Sequence, residues 1–275
     1  MRELERTAAD STDPSMAASA GWRGARPEQP LQIGIVGRGR VGRAHARALR
    51  EAGHQVTGPA GRGEAPAGDA VLLCVPDSEI EAAATTVAGS AAFVGHTSGA
   101  TSLAALGDAG AAAFGLHPLQ TIAGPHAVLR GCGCAVAGTT PAALDLARRL
   151  AADLGMNAVE IGDEDRAAYH AAASIASNFL LTLESAAEAV AAGAGIEPDG
   201  ARRLLGPLVR TTVENWIESG PRKALTGPVA RGDHATVAAQ RAAIAAERPQ
   251  LEPLFDALVE RTEALAASAA SGSAR

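Results

Sequence analysis

The run Gly37-Arg38-Gly39-Arg40-Val41-Gly42 has the spacing GxGxxG, directly after an apolar stretch at 31–36 and at the start of an amphipathic one at 41–52. In that context each glycine has a task. The first allows a tight turn, the second lets the backbone approach a pyrophosphate, and the third lets helix and strand pack closely. The helix N-terminus that follows attracts anions. A second group lies far downstream. His170, Ser174 and Asn178 are four residues apart, so on one uninterrupted helix they share a face. A histidine there can donate a proton near neutral pH, since its ordinary pKa is about 6.5. Asn178 beside it supplies an amide to orient a substrate. The alternative for His170 is a core histidine bonded to a backbone carbonyl.

Three more segments follow apolar runs: Val75-Pro76-Asp77, His96-Thr97-Ser98-Gly99 and His117-Pro118-Leu119-Gln120-Thr121. In open α/β sheets that carboxyl edge is where ligands bind. Val75, Pro76, Asp77, Thr97 and Ser98 are therefore expected to contact a dinucleotide, with 97–99 a turn beneath its nicotinamide ribose. His117, biased toward extended backbone by Pro118, is expected after its strand, lining a pocket with Gln120, or else simply ending the strand. Arg231 suits a substrate carboxylate held bidentately, or a helix carboxylate instead. Lys223, the single lysine, is a fallback proton donor. NAD binders usually carry an acid about 20 residues after the glycine run, to hold the ribose 2′-hydroxyl. Here the corresponding stretch, Val56 to Arg62, holds no acid, the next being Glu64, whereas Arg62, with Arg38, suits a 2′-phosphate. The predicted cofactor is NADP, unless Arg62 only solvates a loop.

These residues need a framework, and the pattern supplies one. Short apolar runs at 31–36, 54–57, 70–75, 92–94, 112–114, 133–137 and 159–161 alternate with helical stretches at 41–52, 78–87 and 141–154. Such alternation predicts an α/β fold with a doubly wound parallel sheet of the Rossmann type. After Gly162 the acids at 163–165 suit a helix N-terminus. An Ala-rich helix to about 192 follows, then helices at 198–218, 234–246 and 250–267. The expected division is a disordered extension at 1–29, a Rossmann domain at 30–162 and an all-α domain at 163–270.

Composition narrows the function classes. The chain has 275 residues, 47% of them hydrophobic, with a formal net charge of −6. That is ample for a core and gives no general attraction to nucleic acid or anionic membrane. No run of about 20 apolar residues or secretory signal pattern is evident, so a cytoplasmic protein is expected. The three cysteines, Cys74, Cys132 and Cys134, fit neither a disulfide framework nor a zinc pattern, and no metal is expected.

The combination of HPLQT at 117–121, YHAAA at 169–173 with Ser177-Asn178, and LTGPVARGD at 225–233 resembles an uncharacterised family. In it a Rossmann-like domain precedes a helical domain of unknown function, related to the 6-phosphogluconate dehydrogenase C-terminal superfamily. The resemblance spans about 31–270. Wider relatives include pyrroline-5-carboxylate reductase and ketopantoate reductase, and some members look like alternative ketopantoate reductases. It implies an NADP-dependent reductase, dimeric through the helical domain. In such relatives a lysine on the first C-terminal helix often supplies the proton, with an asparagine a turn later. Here His170 occupies the comparable place. Three readings follow: a 2-oxo acid reductase, with ketopantoate the first candidate; a cyclic-imine reductase; and a dinucleotide-binding sensor without turnover.

Overall fold

The computed structural model describes residues 29–272, with side chains to 267, so the extension expected over 1–29 lies outside the described residues save its last position. Seven strands form one sheet: β1 (Gln32–Val36), β2 (Gln55–Ala60), β3 (Ala70–Leu73), β4 (Phe93–His96), β5 (Ala112–Leu119), β6 (Gly133–Gly138) and β7 (Asn157–Glu160). Their order is β2-β1-β3-β4-β5-β6-β7, so the chain switches direction across the sheet between β1 and β3. Helices α1 (Arg40–Glu51), α2 (Ile80–Thr86) and α3 (Pro141–Asp153) are the crossovers. This is the Rossmann-type α/β architecture expected from the alternation.

Continuous apolar strands work here because both faces of the sheet are covered. Along β3, Leu72 joins one buried cluster with Ile33, Ile35, Leu49, Phe114 and Leu150. Its neighbours Val71 and Leu73 point the other way, into a cluster with Ile80, Val94 and Leu106. The two-residue period of a strand thus feeds two cores.

Two details depart from expectation. β5 runs on to Leu119, so His117 lies within a strand rather than after one. β5 and β6 also pair antiparallel, His117 opposite Ala135, while the other pairs are parallel. No helix joins these two strands, so no crossover forces them parallel.

The chain divides into two compact units between Ala173 and Ser174, later than the boundary expected at 162. The cause is local. Helix α4 (Arg166–Ala176) opens with Arg166, whose side chain is only 5% exposed, and its guanidinium Nη1 donates to the Ser98 carbonyl at 3.5 Å. The second unit is helical: α5 (Asn178–Gly193), α6 (Pro198–Ala224), α7 (His234–Glu247) and α8 (Glu252–Gly272). The Ala-rich stretch expected as one helix breaks at Ser177, with φ −122° and ψ −71°. In α6, Gly220 takes φ 74°, close to the predicted end at 218. Asp233 caps α7, accepting from the Thr236 N–H at 3.1 Å.

Buried histidines tie the first unit together in neutral form. His54 accepts from the Leu31 N–H through Nδ1 at 3.2 Å and reaches Asp153 through Nε2 at 3.1 Å. A second ring proton would break the Leu31 bond, and burial holds this histidine below its ordinary pKa. Burial also lowers His45, and it pushes His96 down to about 4. The unfolded chain binds these protons first, near pH 6.5, so stability is full above that value and drains away as pH falls toward the folded values. Unfolding midpoints in urea should therefore fall steadily between pH 7 and 5, with about 2 kcal/mol from His96 alone. A midpoint that stays level across that range would contradict this.

Candidate functional site

Each glycine of the GxGxxG run has a distinct reason. A Cβ on Gly37, which has φ +114°, would lie 2.1 Å from the Cys74 carbonyl oxygen. On Gly42 it would lie 1.9 Å from the Gly37 oxygen, so the turn and the helix can close only without side chains. Gly39 is different: a Cβ there meets nothing within 4 Å. Gly39 is also the N-cap of α1, and no side chain caps that terminus. Open space in front of an uncapped helix N-terminus is a cradle for a phosphate. Arg43 steadies the turn by donating to the Arg38 carbonyl at 2.9 Å. Arg40 and Val41 form the first turn of α1, and the Val41 carbonyl meets His45 Nδ1 at 2.9 Å.

Beside the loop is a cleft of about 470 Å³ lined by Gly37, Arg38, Arg62, Val75, Pro76 and Glu79, among others. Both arginines predicted for a 2′-phosphate reach it. Each is paired with an acid: Arg38 with Glu64 at 2.6 Å and Arg62 with Glu79 at 2.8 Å. Glu64 also accepts from the Gly61 N–H at 2.9 Å, and this bond, helped by Arg38, holds its carboxyl below the usual range. The residues fit a dinucleotide: a bare glycine turn for the pyrophosphate, and two guanidiniums over the adjoining cleft for a further phosphate. Such exposed ion pairs are weak and can exchange one anion for another.

A second constellation forms at the carboxyl edge of the same sheet. His117 Nδ1 lies 2.8 Å from the Tyr169 hydroxyl, with the rings edge to face at 5.6 Å. The His170 ring centroid is 6.4 Å from that of His117. Gly99 lies flush on the imidazole: a Cβ there would come within 2.7 Å of Cε1. Burial, followed by His170 and Arg166, pushes His117 down to about 4, and burial pushes Tyr169 up to about 12. At neutral pH the pair is an imidazole and a phenol, both uncharged. Such an imidazole offers one hydrogen-bonding nitrogen, Nε2, beyond the tyrosine.

Arg166 secures this arrangement. Its Nε donates to Asp163 Oδ1 at 2.5 Å, while Asp163 accepts from the Leu103 N–H at 3.0 Å and from the Ser102 hydroxyl. The acids at 163–165 read as helix-dipole partners, yet Asp163 is the counter-ion of a buried guanidinium. Tyr169, Arg166 and Asp163 are thus site residues that motif reading left unassigned. The one available signal was that Tyr169 adjoins His170 within YHAAA.

Other expectations fare differently. The Ser98 hydroxyl accepts from the Ala100 and Thr101 N–H groups, so it builds its own turn. The Thr97 N–H donates to the Leu73 carbonyl at 3.1 Å. Asp77 opens a 3-10 turn after Pro76, where its charge opposes the lowering of His117. Gln120 donates its amide to the Val128 carbonyl and accepts from the Thr121 N–H, bracing a loop whose own pocket it lines with Thr121, Pro125 and His126. The face expected to carry His170, Ser174 and Asn178 is corrected for Asn178 alone: His170 and Ser174 lie four apart on α4, whereas Asn178 opens α5 beyond the break at Ser177. Ser174, Asn178, Lys223 and Arg231 belong to the second unit. Among the described residues, no group of three or more His, Cys, Asp or Glu is arranged to hold a metal, and no helix is long and apolar enough to cross a membrane.

Comparison with known proteins agrees on the fold. Residues 132–262 match a family model described as a domain of unknown function (DUF2520). No curated protein matches the chain. Among solved structures, protein TM1727 from Thermotoga maritima is 24% identical with a TM-score of 0.70, covering 86% of this chain and 98% of its own. BF3122 from Bacteroides fragilis, named by inference as an NADP oxidoreductase, is 17% identical with a TM-score of 0.72, covering 85% and 98%. The Plasmodium falciparum pyrroline carboxylate reductase, solved with NADP bound, is 12% identical with a TM-score of 0.56, covering 86% and 98%.

The flush contact at Gly99 yields a direct expectation. Gly99→Ala should force the His117 ring aside, costing about 1–3 kcal/mol as overpacking does. It should also change the His117 imidazole signals in NMR spectra. Unchanged urea midpoint and unchanged imidazole signals would show that the ring has room to spare.

Proposed function

We propose that this chain is an NADP-dependent reductase of a small 2-oxo acid, ketopantoate being the best single candidate. The observation that carries the proposal is the His117–Tyr169–His170 cluster on the same carboxyl edge as the glycine cradle. Support for the cofactor comes from the paired arginines and from the NADP named for two proteins of like fold. Gly37, Gly39 and Gly42 hold the pyrophosphate, and Arg38 and Arg62 exchange their carboxylates for the 2′-phosphate. When bound, the cofactor supplies hydride to the electrophilic carbon. The protein's part is to polarise the carbonyl and handle a proton. His117, held neutral, can donate a hydrogen bond from Nε2 to the carbonyl oxygen and keeps its ring proton, while the proton that completes the new hydroxyl comes from His170 in its protonated form or from solvent.

A cyclic-imine substrate is the second reading, favoured by the likeness in fold to a pyrroline carboxylate reductase. An iminium needs no acid to quench an alkoxide, so a neutral His117 suits it too. A binding protein without turnover is the third.

The test is NADPH oxidation against a panel of 2-oxo acids and cyclic imines. Turnover of a 2-oxo acid is expected, and His117→Ala should lower its kcat/KM by about 10²–10⁴. Turnover confined to imines, and tolerant of His117→Ala, would overturn the first reading in favour of the second. Tight NADPH binding with no turnover would favour the third. Arg38→Ala and Arg62→Ala should each weaken NADPH about tenfold while leaving NADH nearly unchanged, because each removes a charge-assisted partner of the extra phosphate.

Two copies are proposed to associate through the second unit. Phe179 and Leu181 on α5, and Leu204, Leu208, Trp216 and Ile217 on α6, are exposed large apolar side chains. An apolar surface of that kind marks an interaction site. Light scattering should give about twice the chain mass of 27.5 kDa. A mass of one chain at micromolar concentration would contradict the dimer.

A further inference from the structure

We infer that Tyr169 is a positioning residue whose hydroxyl, donating to Nδ1 of His117, fixes that imidazole in the tautomer carrying its proton on Nε2. The inference concerns the state of one ring. It rests on the proposed reductase reading only for the use made of that state.

Three observations carry it. The 2.8 Å separation joins the phenolic oxygen to Nδ1 and to no other ring atom, so one of the two groups must donate. The phenol is placed to be that donor. It is half-buried, and among the described residues its hydroxyl has no acceptor other than His117 Nδ1, so the phenolic proton is satisfied within the protein only by donating there. Gly99 then removes the ring's freedom to turn away, because its backbone lies against the imidazole where even a methyl would collide.

The tyrosine is itself held in place. Arg166 lies three residues earlier, on the same face of α4. It is anchored to Asp163 and to the Ser98 carbonyl, with Nη2 over Gly115, where a Cβ would come within 3.0 Å. The charged and titratable groups acting on His117 are His170, Arg166 and His96, which oppose its protonation, and Asp77, which favours it. With Nδ1 occupied by a donor, the neutral ring has a single proton to offer, on Nε2. That is the form that can donate a hydrogen bond to a carbonyl oxygen. The opposite tautomer would present a bare Nε2 and could only accept.

The tautomer can be read without turnover. Long-range ¹H–¹⁵N correlation on the full chain with ¹⁵N-labelled histidine, at pH 7.5, distinguishes protonated from bare ring nitrogens. His117 is assigned by the signals lost in His117→Gln. A protonated Nε2 and a bare Nδ1 are expected in the unsubstituted protein. In Tyr169→Phe the two tautomers should mix, and the ring's titration midpoint should rise, because a donor that favours the neutral form is gone. A protonated Nδ1 in the unsubstituted protein would overturn the inference, whether or not the variant folds. So would a Tyr169→Phe protein with tautomer and midpoint unchanged. Failure of the unsubstituted protein to oxidise NADPH with any substrate would instead count against the reductase reading alone, since the NMR result needs no substrate.

Discussion

A guanidinium taken out of water must be paired, and the pairing of Arg166 organises the site. Removing its partner would leave a buried charge uncompensated, which costs several kcal/mol. Asp163 answers that need and, by binding the Leu103 N–H and the Ser102 hydroxyl, ties the loop after β4 to the start of α4. The first turns of α4 are thereby fixed against the Rossmann unit. Tyr169 and His170 ride on those turns and meet His117. The same clamp explains why the compact unit ends at Ala173 and not where the strands end.

The two halves of the proposed chemistry depend on the sheet in different ways. The nucleotide half uses the backbone: a turn that admits no side chain at Gly37 and Gly42, and an open helix end at Gly39. The proton-handling half uses side chains in a half-buried setting, where losing water suppresses charge on both His117 and Tyr169. A neutral imidazole held by a neutral phenol is a directional hydrogen-bonding group, and not a charged acid waiting at neutral pH.

Much of the framework was legible in the chain. Apolar runs alternating with amphipathic ones lead to a parallel sheet because buried strands and crossover helices have different periods. The glycine spacing leads to the phosphate cradle, and Arg38 within that run with Arg62 after β2 leads to the cleft arginines. Three features were hidden for physical reasons. The antiparallel β5–β6 pair leaves no local mark, since strand direction is set by the connection and by partners distant in sequence. The break at Ser177 sits in an Ala-rich stretch; Ser177-Asn178 are cap-favouring types, but so short a signal is outweighed by the alanines on both sides. Arg166 looks like any charged residue at a helix start, and only its tertiary partners make it a buried anchor. His117 was named for its chemistry but placed beyond its strand, and Gln120 proved to be a brace for its own loop.

The central claim is that His117, presented by Tyr169 at the carboxyl edge of the sheet, is the group that meets the reacting oxygen. A crystal structure of the full chain with NADP and an unreactive 2-oxo acid analogue addresses this most directly. The predicted result is the analogue's 2-oxo oxygen within hydrogen-bond distance of His117 Nε2, with the Tyr169–Nδ1 bond intact. An analogue bound in the cofactor's presence but away from His117, with its oxygen held by other side chains, would contradict the account.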